Sequence, residues 1–141
     1  MNVYFETSAL VKLFLEEPGA DQARDLWDDA DLVTVALIAY PEARAALSSA
    51  ARAGRISPEE SEDLRYKLGR RWTQTQVIDF DEPVAFSAGD LAERFGLRGY
   101  DAVHLATAVS LRDESFLVAT WDVELADACL ESGLAVAPSA T

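Results

Sequence analysis

Short runs of branched and aromatic residues alternate with stretches of helical spacing along the whole chain, and this alternation limits the fold more than any other feature. Val3-Tyr4-Phe5 forms the first strand-like run. Beyond it Leu10, Leu13 and Phe14 fall on one helical face, with Ser8 placed to cap the helix and Pro18-Gly19 to end it. A second helix is predicted over 21–29, ahead of the strand-like Leu32-Val33-Thr34-Val35. An Ala-rich helix over 37–53 ends at Gly54, and Pro41 predicts that it starts or kinks there. Ser57-Pro58-Glu59-Glu60 reads as a helix start, and Leu64, Leu68 and Trp72 carry that helix forward. Val77-Ile78 follows as a short strand, then helices over 83–95 and 100–112 separated by Gly96 and Gly99. Phe116-Leu117-Val118-Ala119 is the next strand, a helix follows Asp122, and Leu134-Ala135-Val136 closes the series as an edge strand. The pattern predicts an α/β fold: a central parallel sheet of about four to five strands with helices on both faces, in one domain over 1–141.

Bulk properties narrow the function. The 141 residues suffice for one sizeable core, and half of them are hydrophobic. The longest apolar run, over 35–40, is far shorter than a bilayer span, and the acid at Glu6 and the base at Lys12 do not read as an export signal. Cys129 stands alone, which excludes a disulfide framework and suits a reducing compartment. The expectation is a cytoplasmic protein without membrane attachment. Twelve Lys and Arg against 25 Asp and Glu give a net charge of -13, which repels phosphate backbones. Nucleic-acid chemistry on such a chain needs a cation, a basic partner, or both.

In parallel sheets ligands sit outside the carboxyl ends of the strands. Glu6 follows the first strand directly, Asp122 follows the strand over 116–119, Glu42 lies near the start of the helix after the second strand, and Asp101 lies in a helix first turn. Four carboxylates far apart in sequence therefore belong to one sheet edge. Close together they raise one another's pKa unless a cation intervenes, and oxygen-only donors suit Mg2+, or Mn2+, rather than zinc. Such an ion would neutralise an approaching phosphate and lower the pKa of a bound water. Any one of these acids alone reads more simply as a helix cap.

The segments that hold these acids resemble a known family. Tyr4-Phe5-Glu6-Thr7-Ser8-Ala9-Leu10-Val11-Lys12 looks like the opening of PIN-domain ribonucleases of the VapC toxin type. Ala39-Tyr40-Pro41-Glu42-Ala43-Arg44-Ala45-Ala46-Leu47 resembles their second motif. The segment over 97–108, Leu-Arg-Gly-Tyr-Asp-Ala-Val-His-Leu-Ala-Thr-Ala, resembles the third nearly throughout, and Leu117-Val118-Ala119-Thr120-Trp121-Asp122 the fourth. The resemblance spans the chain in order. It implies a PIN domain whose catalytic, metal-holding acids are Glu6, Glu42, Asp101 and Asp122, with Thr7, Ser8 and Thr120 as supporting hydroxyls. It further implies Mg2+- or Mn2+-dependent cleavage of RNA (tRNA, rRNA or mRNA), homodimers, and inhibition by a VapB-type antitoxin whose tail enters the acidic groove.

The chain departs from the family in its first acid, an aspartate there and Glu6 here. The extra methylene lengthens the arm by about 1.5 Å, and a misplacement of about 1 Å can cost about a hundredfold in rate. The expectation is a site that still binds metal and cleaves more slowly. The alternative is a catalytically impaired protein that acts as a dimeric antitoxin-binding partner in operator autoregulation. A phosphotransfer domain is disfavoured, since a phosphatase needs an Asp-x-Asp where Glu6 stands and no Lys is placed for a receiver.

Among other residues, His104 reads as a packed or hydrogen-bonded histidine rather than a ligand. Arg44 and Arg98 are candidates for contact with phosphate or a carboxylate, a structural ion pair being the plainer reading of Arg44. Asp79 and Asp81 read as solvated turn residues, Trp27, Trp72 and Trp121 as core or interface, and Leu64, Leu68 and Trp72 as a core stripe.

Overall fold

The computed structural model describes residues 1–112 and 115–139. Its strands are β1 (Asn2–Phe5), β2 (Leu32–Ala36), β3 (Gln76–Ile78), β4 (Phe116–Ala119) and β5 (Ala135–Ala137). Its helices are α1 (Thr7–Val11), α2 (Ala20–Asp29), α3 (Ala39–Arg52), α4 (Pro58–Trp72), α5 (Glu82–Phe95), α6 (Gly99–Ser110) and α7 (Val123–Glu131). All strand pairs are parallel and the order across the sheet is β3-β2-β1-β4-β5. The expected α/β architecture is therefore present, with five strands.

Alternation along the strands explains the two layers. Val3 and Phe5 of β1, with Val33 and Val35 of β2, join one core with Leu10, Trp27, Leu47 and Leu68 from α1 to α4. Tyr4, Ala36 and Val118 point the other way, into a second core with Leu105 of α6 and Leu125 of α7. Burying both sheet faces is why the strand segments read as nearly continuous apolar runs. Leu68 is fully buried while Leu64 and Trp72 pack partly buried against the same core, so the α4 stripe is a core stripe. No helix among the described residues is long and apolar enough to cross a membrane.

Several local expectations shift. Ser8 does not cap α1. The chain passes from β1 into the helix with one residue between them, so Glu6 is the N-cap and its carboxylate accepts from the Ser8 N–H at 3.1 Å. The helix also stops at Val11, and Leu13 and Phe14 are buried from the turns that follow. Pro41 causes no kink: it is the third residue of α3, in the first turn where no intrahelical N–H bond is lost. Ser57 forms a full capping box with Glu60. Asp81 is the N-cap of α5, accepting from the Val84 N–H at 3.0 Å, and Asp79 accepts from the Phe80 N–H, both exposed.

Candidate active site

The strand order places the site. After β3 the chain crosses to the far side of β1, so β1 and β4 are neighbours whose connections depart to opposite faces. Connections leaving in opposite directions open a crevice beyond the carboxyl ends of that pair. Glu6 stands at the end of β1, its N–H donating to the Ala119 carbonyl at 3.0 Å, and Thr120-Trp121-Asp122 follow β4 into α7.

Glu6 is only 5% exposed, so its carboxylate needs partners. Oε2 accepts from the Ser8 N–H, from Ser8 Oγ and from Thr120 Oγ1 at 2.8 Å. Ser8 Oγ in turn accepts from the Trp121 N–H at 2.8 Å, and Thr120 Oγ1 from the Asp122 N–H at 3.1 Å. Two of the three expected hydroxyls, Ser8 and Thr120, thus tie the end of β1 to the loop after β4. Asp122 caps α7 through Oδ1, 3.1 Å from the Leu125 N–H. Asp101 sits in the first turn of α6 with exposed Arg98 3.7 Å away. Partial burial, then the charges of Asp122 and Glu6, push the Asp101 carboxyl above its ordinary range, outweighing the opposing pull of Arg98 and His104.

Glu42 lies in the first turn of α3. Its Oε1 accepts from Thr7 Oγ1 at 2.8 Å and lies 2.7 Å from His104 Nε2, while His104 Nδ1 meets the Tyr4 hydroxyl at 2.8 Å. Burial works to raise the Glu42 carboxyl, but the hydrogen bond and charge of His104, with the Thr7 hydroxyl, hold it below its usual range. Burial, then the charges of Glu6, Cys129 and Glu42, push the Tyr4 hydroxyl well above its usual range, so it stays protonated. A carboxyl lowered on folding contributes stability that is present above its unfolded pKa and lost as pH falls through the folded one. In thermal melts, Glu42→Gln is therefore expected to sit furthest below the parent near neutral pH, with the gap closing as pH falls through and below the usual carboxylate range. A constant gap across that range would contradict the assignment.

Among the described residues Arg44 contacts no carboxylate. Residues two apart on a helix do not face each other, and Arg44 reaches back one turn to donate to Tyr40 Oη at 3.1 Å. The plainer reading of Arg44 as a structural ion pair is corrected accordingly. His104 is the hydrogen-bonded, buried histidine expected, but its link to Glu42 and Tyr4 was not read from the sequence. The signal was there: a Tyr in a buried strand needs a partner for its hydroxyl. Trp121 packs partly buried against the core as expected, but its contact with Lys12 was not read from the sequence. Buried Lys12 donates to Glu17 at 3.0 Å and to the Pro18 carbonyl at 2.8 Å, with its ammonium 5.3 Å from the Trp121 ring centroid. The ring lies against Gly19, whose φ is 91° and where a Cβ would meet Trp121 Nε1 at 2.6 Å. Gly19→Ala is expected to cost about 1–3 kcal/mol from the strained φ and the clash, read as a drop in denaturation midpoint. Unchanged stability would show that Trp121 is not held there.

The donor set suits a hard divalent cation, being all carboxylate oxygen, with repulsion at Asp101 that such an ion would relieve. Among the described residues, no three Asp, Glu, His or Cys side chains are grouped closely enough to hold one ion as they are placed. Coordination therefore takes rotation of side chains, open to Asp101 and Asp122, which are neither fully buried nor saturated in hydrogen bonds.

Comparison with known proteins agrees with this architecture. The model of the PIN domain matches residues 3–129. The chain belongs to the PIN-domain family. Ribonuclease VapC45 of Mycobacterium tuberculosis is 40% identical over 137 residues, covering 97% of this chain and 95% of that protein. Two solved structures share the PIN fold at low identity. A toxin–antitoxin complex from Klebsiella pneumoniae aligns at TM-score 0.65 and 20% identity, over 88% of this chain and 89% of that one. Mycobacterium tuberculosis VapC20, described as a Sarcin-Ricin loop cleaving toxin, aligns at TM-score 0.66 and 16% identity, over 89% and 94%. In this PIN domain all four motif acids lie at one end of the sheet, Glu6, Asp101 and Asp122 sensed together and Glu42 bound to His104.

Proposed function

We propose that this PIN domain is the toxin of a toxin–antitoxin pair, an endoribonuclease that hydrolyses RNA phosphodiesters with the help of Mg2+ or Mn2+. The observation that carries the reading is the convergence of the Glu6, Asp101 and Asp122 charges at the crevice between β1 and β4. These three carboxylates would hold the ion, with Glu42 as the fourth acid of the site. Bound there, a divalent cation supplies charge neutralisation for the phosphate and a lowered pKa for water. The chain's own part is positional: Ser8 and Thr120 fix Glu6, and the α7 cap fixes Asp122. The relatives' printed names, ribonuclease and toxin, support this reading. So does the net charge of -13, since a chain that repels RNA in general needs a cation at the one place it engages it.

The antitoxin is a small protein that places Arg or Lys among the acids, where unpaired carboxylates favour it. The molecule acts in the cytoplasm as a homodimer. Purified chain incubated with labelled RNA is expected to give discrete products, and induced expression to arrest growth unless the antitoxin is co-expressed. An induced chain that is folded, binds its antitoxin and leaves growth and RNA intact would favour the second reading, a dimeric partner for operator autoregulation. One feature favours that second reading: Glu6 Oε2 already accepts three hydrogen bonds, leaving less of the carboxylate for an ion.

A further inference from the structure

Glu42 differs from the other motif acids in its partners: it is held by His104 Nε2 at 2.7 Å and Thr7 Oγ1 at 2.8 Å, whereas Glu6 is held by Ser8 and Thr120. A carboxylate oxygen only accepts, so His104 Nε2 and Thr7 Oγ1 both donate to Glu42 Oε1, while His104 Nδ1 is hydrogen-bonded to the Tyr4 hydroxyl at 2.8 Å. His104 is 1% exposed and Tyr4 likewise, so neither can swing away to another partner. Oε1 is thereby occupied by two donors. Oε2 has no protein partner among the described residues, and the Glu42 side chain is 29% exposed, so this oxygen is open to a solvent molecule.

We propose that Glu42 stands outside the cation-holding set and orients the attacking water through Oε2, with His104, itself held by Tyr4, as the residue that positions it. The inference rests on the hydrolytic reading above. A carboxylate locked on one oxygen presents the other in a fixed direction, which is what a water needs to be aimed at phosphorus. Among the described residues Asp101 meets only the exposed Arg98 at 3.7 Å and Asp122 only its helix cap, so these two can turn towards an ion. Glu6 is held through Oε2 by Ser8 and Thr120 and keeps Oε1 to offer, whereas Glu42 can swing as a whole only by giving up His104 and Thr7.

The test separates ion binding from turnover. Mn2+ affinity, measured by calorimetry, and RNA cleavage are compared for the parent, Asp101→Asn, Glu42→Gln, His104→Leu, His104→Gln and Tyr4→Phe. Asp101→Asn is expected to lose Mn2+ affinity by about tenfold or more. Glu42→Gln and His104→Leu are expected to hold Mn2+ within about threefold of the parent while kcat falls about 10- to 100-fold with little change in KM. His104→Gln, which keeps an N–H donor, is expected to recover part of the loss, and Tyr4→Phe, which removes only one hydroxyl, to lower kcat several-fold. His104→Leu added to Glu42→Gln is expected to cost nothing more, because the two act as one unit. Loss of Mn2+ affinity in Glu42→Gln as deep as in Asp101→Asn would overturn the division, and multiplying effects of His104 and Glu42 would overturn the positioning. If His104→Leu fails to fold, Tyr4→Phe and His104→Gln carry the same comparison. A parent that neither binds Mn2+ nor cleaves RNA would instead overturn the hydrolytic reading, and with it this inference.

Discussion

Asp101→Asn is expected to lower RNA cleavage by about 10²–10³-fold, the size of effect seen when one charge-stabilising group leaves a catalytic site, while the protein becomes no less stable. Both halves follow from one feature. The Asp101 carboxyl is pushed up by burial and by the charges of Asp122 and Glu6, so in the folded state its ionised form is disfavoured. A group raised on folding contributes stability at low pH that is lost as pH rises through the folded pKa, and near neutrality the ionised side chain works against the fold. Asparagine keeps the shape and removes the repulsion. Asp101 is partly exposed, so solvent screens the effect, and the melting temperature is expected to rise by only about 1–2 °C. A variant that loses cleavage together with several degrees of stability would mean that Asp101 serves the fold, not the chemistry. Adding Mg2+ is expected to raise the melting temperature of the parent more than that of Asp101→Asn, since only the parent keeps the full set of donors.

Glu6→Asp is expected to move activity the other way, speeding cleavage by about tenfold or more. Glu6 spends its length folding back: Oε2 is held by the Ser8 N–H, the Ser8 hydroxyl and the Thr120 hydroxyl. Aspartate, a stronger N-cap, satisfies the Ser8 N–H from a shorter arm and gives up an oxygen's worth of reach towards Thr120. The carboxylate then carries one fewer torsion to freeze when it turns to a cation. A placement improved by about 1 Å is worth up to about a hundredfold. Equal rates for the two proteins, measured on the same RNA with the same ion, would show that the longer arm costs nothing and that Glu6 is a tolerated variant.

The layered architecture was legible because both sheet faces are buried, which writes apolar runs at Val3-Tyr4-Phe5 and Phe116-Leu117-Val118-Ala119 that nothing else explains. Glu42 and Asp122 were legible from their places at helix starts beyond strands and Asp101 from a helix first turn, although α6 follows α5 and not a strand. Strand order was not readable from periodicity. It follows from the long connection between β3 and β4, and it alone makes β1 and β4 neighbours. The partners of buried polar groups were hidden for the same reason: Tyr4 and His104 are 100 residues apart, and Ser8 and Trp121 are 113 apart. Capping was misjudged at Ser8 because a single residue separates strand from helix there, and the cap passed to Glu6. Arg44 was misjudged because spacing of two suggested nearness to Glu42, where a helix puts Tyr40 instead.

The most direct measurement of the central claim is cleavage of labelled RNA by the purified chain with Mg2+, with Mn2+ and with a chelator. Discrete products are expected with either ion, none in chelator, and recovery when the ion is restored. Cleavage that persists at full rate in chelator would contradict it.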